Sequence, residues 1–203
     1  MGKLPIMRGI NHDLTPQVYN KLRTLALSEN EQSAISLARF RIGNNAMMDT
    51  VVCDGDYEDF TFSQNNQPFQ MTAHTRDINH FLWCVPHGDV SLWHTHPFPY
   101  DTLPSLEDAF TFASLRNELG RAGKVLTFGI AGVDDLSVYG FEKSNKPNMS
   151  SLMRIPISVA GKRLEPLPAY GDPKREEALV AIKQFNDKIA HLIYPEPDRA
   201  HFI

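Results

Sequence analysis

Residues 89–108, DVSLWHTHPFPYDTLPSLED, are the stretch that decides how the chain is interpreted. The first eight residues have the composition of a strand, and side chains two residues apart on a strand point to the same side. His94 and His96 are therefore expected to project together. Pro97 ends the predicted strand, and a proline-rich loop then leads to a helix whose first turn carries Asp108.

Two imidazoles and one carboxylate are a typical ligand set for Zn²⁺, and they leave a fourth tetrahedral position for water. Each half of the pattern also has a simpler explanation. The sequence from Ser105 to Asp108 is a capping box, and His94 and His96 alone would be two surface histidines on a strand. The occurrence of both halves in succession favours a zinc site formed by His94, His96 and Asp108.

These motifs resemble the JAMM (MPN+, JAB domain) zinc metalloproteases, which combine an upstream Glu with H-x-H-P and S-x-x-D. The resemblance extends to the order of the predicted elements from residue 15 to about residue 143. It implies an α+β (or α/β) fold of the JAB/MPN-like, cytidine-deaminase-like type, in which helices flank a central mixed sheet.

The resemblance also implies a role for each residue that matches the family pattern. His94, His96 and Asp108 would bind zinc, and Ser105 would stabilise the developing oxyanion. Glu31 matches the family's general base, because it directly precedes the second predicted element, and Glu29 is the second candidate. The alternative for Glu31 is a solvated side chain in a loop between a helix and a strand.

The chain departs from the family pattern in two places. Eleven residues separate His96 from Asp108, one more than is usual in the family. Glu107 stands at the usual count and is the alternative carboxylate ligand, although Asp108 keeps the S-x-x-D register. The small Gly that often follows the family's Glu is replaced by Ser33 and Ala34, so we expect a divergent member.

The remaining pattern predicts alternating helices and strands. Thr15 is expected to cap a first helix, with Pro16 at its first position. The predicted helices are 15–27, 105–119 and 174–192, and the predicted strands are 33–42, 46–53, 89–96, 124–131, 136–141 and 153–159. Residues 1–143 are interpreted as a zinc hydrolase domain, and residues 144–203 as a C-terminal extension that packs one helix on the core.

Composition limits the other classes of function. The net charge of −4 and the pI of about 6.0 disfavour a nucleic-acid partner. No apolar stretch approaches the length that crosses a bilayer, and the first ten residues lack a signal peptide. We therefore expect a cytoplasmic protein without a membrane partner, although secretion without an N-terminal signal would give the same pattern.

The resemblance implies a metallopeptidase or isopeptidase that hydrolyses an amide bond of a protein or peptide. The bond joining a ubiquitin-like modifier to a lysine is one candidate substrate, and a peptide of a bacterial or phage pathway is the other. The residues do not separate these two, nor do they indicate an oligomeric state. The competing hypothesis is a non-catalytic scaffold or protein-interaction module of the same fold.

Overall fold

In the computed structural model of the chain, structure is described for residues 4–7, 11–42, 45–56, 89–97, 100–119, 126–141, 151–168 and 171–190. Within these ranges, helices and strands are mixed along the chain and the fold class is α+β, as predicted. None of the helices in these ranges has the length and apolar character needed to cross a bilayer.

The described residues contain three helices and nine strands. The helices are α1 (Pro16–Leu25), α2 (Leu106–Leu119) and α3 (Arg175–Ala190). The strands are β1 (Asn11–Leu14), β2 (Gln32–Ile42), β3 (Asn45–Asp56), β4 (Asp89–Thr95), β5 (Leu126–Ala131), β6 (Leu136–Phe141), β7 (Leu152–Ile155), β8 (Ile157–Val159) and β9 (Lys162–Leu164).

Helix α1 begins as its sequence predicts. Thr15 is the N-cap residue, and its hydroxyl accepts a hydrogen bond from the Val18 amide at 3.4 Å. Pro16 follows at the first helical position, where a backbone N–H is not needed. Val18, Tyr19 and Leu22 are buried, so one side of the helix faces the core.

The strands form one mixed sheet in the order β7-β6-β5-β4-β2-β3-β1-β8-β9. Strand β4 lies inside this sheet, antiparallel to β2 and parallel to β5. Ser33 of β2 pairs with His94, and Ile130 of β5 pairs with the same residue from the other side. The position of the two histidines therefore depends on strands that are distant in sequence.

Side chains of β4 alternate between two hydrophobic clusters. Val90 belongs to the cluster that includes Phe112 of α2, whereas Trp93 belongs to the cluster that includes Tyr19 of α1. Because neighbouring residues of a strand point to opposite faces, α2 and α1 cover opposite faces of the sheet. Helix α3 lies on the α1 side, where Tyr19 meets Phe185 edge-on at a centroid distance of 6.0 Å.

Three features of the sheet differ from the sequence prediction. Strands β1 and β9 were not predicted, and each has only three or four residues. The partners of β1 are β3 and β8, which lie elsewhere in the chain, whereas β9 pairs with the preceding strand β8 through a short turn. The single strand predicted at 153–159 is two strands separated by Pro156, which has no N–H to donate to a neighbouring strand. Residues 57–70 and 75–84, whose sequence fits more than one type of element, and the tail 194–203, which is expected to be irregular, lie outside the described residues.

The segment assigned to the C-terminal extension contributes to both the sheet and the core. Strand β7 pairs with β6, and β8 pairs in parallel with β1. Leu164 of β9 and Ile189 of α3 are buried in the same cluster as Tyr19. The described part of this segment is thus continuous with the sheet that carries the histidines.

A glycine substitution tests the packing around β4. Gly129 lies opposite Trp93, and a Cβ atom at Gly129 would stand 2.1 Å from the Trp93 ring. Because Trp93 is also held by a 2.8 Å hydrogen bond from its Nε1 to the Ser36 hydroxyl, the ring has little freedom to move. We expect Gly129→Ala to lower the free energy of unfolding by about 3 kcal/mol, measured by denaturant titration.

Gly140→Ala is the matched control on β6. Its Cβ would first meet the terminal methyl group of Ile155 at 3.0 Å, and a side-chain end can shift more easily than a buried indole. The loss of stability should therefore be smaller than at Gly129. Equal losses in the two variants would contradict the described packing of Trp93.

Candidate metal centre

The two histidines lie at the end of β4, next to helix α2. His94 lies on the α2 face of the sheet, with its ring centroid 5.7 Å from that of Phe112. His96 follows the last residue of β4, and its amide donates to the carbonyl of Ala131 at 2.9 Å. The pairing with β5 therefore continues one residue past the strand and holds the backbone of the second histidine.

The start of α2 supplies the carboxylate. The Ser105 amide donates to Asp108 Oδ2 at 2.7 Å, and the Asp108 amide donates to Ser105 Oγ at 3.0 Å. This reciprocal pair is the capping arrangement that the sequence suggested. Asp108 can cap the helix and approach the histidines at the same time, because both of its carboxylate oxygens make contacts.

The three predicted ligands meet at one point. His94 Nε2 and His96 Nε2 are 3.0 Å apart, and they lie 3.1 Å and 3.5 Å from the two oxygens of Asp108. In a tetrahedral site with bonds of 2.0–2.1 Å, ligand atoms are about 3.3 Å from one another. His94, His96 and Asp108 can thus hold a metal ion without a large rearrangement.

The contacts of His96 specify which ring nitrogen faces the ion. His96 Nδ1 lies 2.6 Å from the main-chain carbonyl of Asp101. A carbonyl only accepts hydrogen bonds, so Nδ1 carries a proton, and Nε2 is the nitrogen that faces the other ligands and would present its lone pair to an ion. Such a contact orients the ring and selects the tautomer that binds a metal.

The charges of the group stabilise one another. Burial raises the pKa of Asp108, but the hydrogen bonds from His94 and His96 outweigh it, and the pKa lies well below its usual range. Burial lowers the pKa of His96, but the contacts with Asp108 and the Asp101 carbonyl and the charge of Glu31 raise it overall. Asp108 is therefore ionised at neutral pH, and protons compete for His96.

Glu31 lies next to this group. It directly precedes β2, and the amide of Gln32 donates to the Thr95 hydroxyl at 2.8 Å. Ser33 pairs with His94, so continuing the antiparallel register by two residues brings Glu31 opposite His96. The influence of Glu31 on the pKa of His96 agrees with this placement.

The structure separates Asp108 from the alternative carboxylate. Glu107 is exposed and does not belong to the group of converging ligand atoms, whereas Asp108 does. Asp101, another carboxylate of the loop after Pro97, uses its side chain to accept from the Leu103 amide at 3.0 Å and is a turn residue. Glu29 is exposed in the bend before β2.

Several sequence predictions lie outside the described residues. They concern His74, His80 and His87, which share no ligand spacing in the sequence, and the segment 57–76, which the sequence offers as a lining for the groove of an extended substrate. Tyr100, an aromatic residue of the proline-rich loop, is 69% exposed.

The sequence analysis missed the residues that support His96. One is Asp101, whose main-chain carbonyl contacts His96. The others are Thr102 and Tyr139, which are joined by a hydrogen bond from the Tyr139 hydroxyl to the Thr102 carbonyl, and Tyr139 belongs to a strand distant in sequence. A backbone carbonyl has no sequence signature, and nothing in the local pattern around Tyr139 indicates that its hydroxyl reaches residue 102.

Comparison with known proteins adds no relative to this description. No protein-family model matches the chain, and no curated protein matches it.

Metal binding should strengthen as the pH rises. At least one Nε2 of the histidine pair must carry a proton when no ion is present, and an incoming ion displaces protons from its ligands. Because the pKa of His96 is raised above 6.5, the affinity for Zn²⁺ should be lower at about pH 6 than at about pH 8. Competition titrations against a chromophoric chelator at several pH values measure this dependence.

Proton release, measured in weakly buffered solution during the same titration, provides an independent check. The Asp108→Ala variant should show neither Zn²⁺ uptake nor proton release. An affinity that is constant over this pH range, or that increases on acidification, would contradict the assignment of His96 as a ligand.

Proposed function

We propose that the chain is a zinc-dependent hydrolase of the JAMM type that cleaves a peptide or isopeptide bond. The observation that carries this proposal is the convergence of His94, His96 and Asp108 from a strand end and a helix start. The proposal also draws on the order of the motifs in the sequence, because Glu31, the histidines, Ser105 and Asp108 follow one another as in that family.

The donor set favours zinc over other divalent ions. Two imidazole nitrogens and one carboxylate suit Zn²⁺, whereas Mg²⁺ and Ca²⁺ prefer sites built from oxygen atoms. Three protein ligands leave one position open, which is typical of catalytic rather than structural zinc sites. When bound, the ion would lower the pKa of a coordinated water and polarise a carbonyl group.

Ser105 is suited to stabilise negative charge on the substrate. Its Oγ already accepts from the Asp108 amide, so its own proton can be donated to an oxygen on which charge develops. It stands at the N-terminus of α2, where the aligned peptide dipoles also favour negative charge. Ser105 is exposed, and a substrate can reach it from solvent.

Glu31 is suited to move a proton. Its carboxylate is exposed and lies at the position that the β2–β4 register brings beside His96. A carboxylate there can accept a proton from the attacking water and pass it to the leaving amine. An amide substrate requires both transfers, because the amine leaves only after it is protonated.

The metal content of the purified protein is the first test. We expect about one equivalent of zinc per chain by elemental analysis, and a loss of that zinc in Asp108→Ala. Glu107→Ala is the matched control, because it removes the neighbouring carboxylate from the same helical turn and should retain the metal. At a free zinc concentration 100 times the Kd, the ion should stabilise the fold by about 2.7 kcal/mol.

Two outcomes would contradict the zinc site. One is a well-folded protein that takes up no zinc, which would support a non-catalytic scaffold instead. The other is zinc that remains bound in Asp108→Ala but is lost in Glu107→Ala, since the ligand would then be the other carboxylate.

Substitution of the proposed base tests the reaction. Glu31→Gln should retain zinc and lower kcat by about 100-fold or more, because the amide cannot accept a proton. Turnover can be measured with internally quenched peptides and with conjugates of a ubiquitin-like protein on lysine. Glu29→Gln, an equivalent change two residues away, should leave turnover unchanged.

Full activity of Glu31→Gln, together with loss in Glu29→Gln, would transfer the role of the base to Glu29. Absence of turnover by the zinc-loaded wild-type protein on both classes of substrate would count against amide hydrolysis while leaving the metal site intact.

A further inference from the structure

The hydrogen bond between His96 and the Asp101 carbonyl is the starting point. His96 Nδ1 donates to this carbonyl at 2.6 Å, and the contact leaves Nε2 directed toward His94 and Asp108. If the carbonyl moved away, the ring could exchange its proton between the two nitrogens. The neutral ring would then spend part of its time in a tautomer that cannot bind a metal through Nε2.

The position of that carbonyl depends on the next residue. The hydroxyl of Tyr139 donates to the main-chain carbonyl of Thr102 at 2.6 Å. Tyr139 is fully buried in the sheet, and burial raises its pKa to about 12, so the phenol keeps the proton that it donates. A rigid aromatic side chain on β6 thus holds the peptide unit adjacent to the one that contacts His96.

The side chain of Thr102 adds a second attachment to the same strand. Its hydroxyl donates to Asp135 Oδ2 at 3.0 Å and lies 2.7 Å from Ser137 Oγ. Arg154 of β7 in turn donates to Ser137 Oγ at 2.5 Å. The hydrogen bonds therefore all run in one direction: Arg154 donates to Ser137, Ser137 donates to Thr102, and Thr102 donates to Asp135.

A pocket open to solvent borders this loop on one side and is lined by Tyr100, Thr102, Val133 and Leu167 among others. Thr102 itself is buried, so both packing and its hydroxyl contacts hold it in place. Hydrogen bonds are directional, and those of Thr102 therefore fix the orientation of the loop backbone.

We propose that Tyr139 and Thr102 are positioning residues of the metal centre. They hold the Asp101 carbonyl against His96 Nδ1 and thereby select the tautomer of His96 that presents Nε2 to the ion. This inference rests on the proposed function, since it assigns a role toward the ion that His94, His96 and Asp108 would bind. Both residues act on His96 through the backbone of the loop that carries the Asp101 carbonyl.

Two matched tyrosine variants test the inference. Tyr139→Phe removes the hydroxyl that holds Thr102. Tyr19→Phe removes the hydroxyl of another fully buried tyrosine, which donates to Asn186 Oδ1 at 2.6 Å and links α1 to α3 on the opposite face of the sheet. Each variant deletes the hydrogen bond of one buried tyrosine, so a purely structural role predicts a loss of thermal stability in both metal-free variants.

The first readout is the tautomer of His96 in the metal-free protein. Nitrogen-15 NMR of labelled histidine, assigned with His96→Gln, distinguishes protonation at Nδ1 from protonation at Nε2. Wild type and Tyr19→Phe should show Nδ1 protonated, and Tyr139→Phe should show a mixture. An unchanged tautomer in Tyr139→Phe would overturn the inference without reference to any metal.

The second readout is the Kd for Zn²⁺. We expect it to rise about 10-fold in Tyr139→Phe, the magnitude typical of residues that support metal ligands, and to stay unchanged in Tyr19→Phe. Equal Kd values in the wild type and Tyr139→Phe would refute the positioning role and leave the zinc site standing. A wild-type protein that binds no Zn²⁺ would refute the proposed function, and the positioning role toward an ion with it.

Thr102 variants keep the test decisive if Tyr139→Phe does not fold. Thr102→Val retains the shape but removes the hydroxyl that reaches Asp135 and Ser137, whereas Thr102→Ser retains the hydroxyl. The Kd for Zn²⁺ should rise in Thr102→Val and stay near the wild-type value in Thr102→Ser. The same Kd in both Thr102 variants would contradict the role of the hydroxyl.

Discussion

Strand β4 is hydrogen-bonded to β2 on one side and to β5 on the other, and the site depends on this double pairing. The pairing with β5 runs through Thr95 and continues to His96, so the backbone of the second histidine is as firmly held as the strand itself. The pairing with β2 brings Glu31 to the same end of the sheet. A shift of the register by one residue would turn His94 away from α2.

The helix that faces this strand end contributes both a ligand and its support. Asp108 accepts from the Ser105 amide while its oxygens approach the histidines, so the helix cap orients the carboxylate. On the other side, the loop after Pro97 contributes a main-chain carbonyl to His96, and β6 holds that loop through Tyr139. The three ligands are thus oriented by three different elements.

Local chemistry explains which parts of the fold were predictable. Thr15 and Pro16 mark the start of α1 because a cap and a proline act on their immediate neighbours. Strand β4 was predictable because its pattern ends at a proline, and helix α2 was predictable because it begins with a capping box. Strands β1 and β9 have no comparable local signal, because the partners of β1 are the non-adjacent strands β3 and β8 and only the turn at Gly161 prepares β9.

The sequence alone determined the identity of the candidate ligands, since His94, His96 and Asp108 are recognisable from residue type and spacing within fifteen positions. It favoured Asp108 over Glu107 only through the S-x-x-D register. Adjacent residues of a helix point in directions about 100° apart, and the packing of α2 decides which one faces β4. The support of His96 by Asp101, Thr102 and Tyr139 was likewise decided by the tertiary structure, because it consists of backbone carbonyls and a contact across 37 residues.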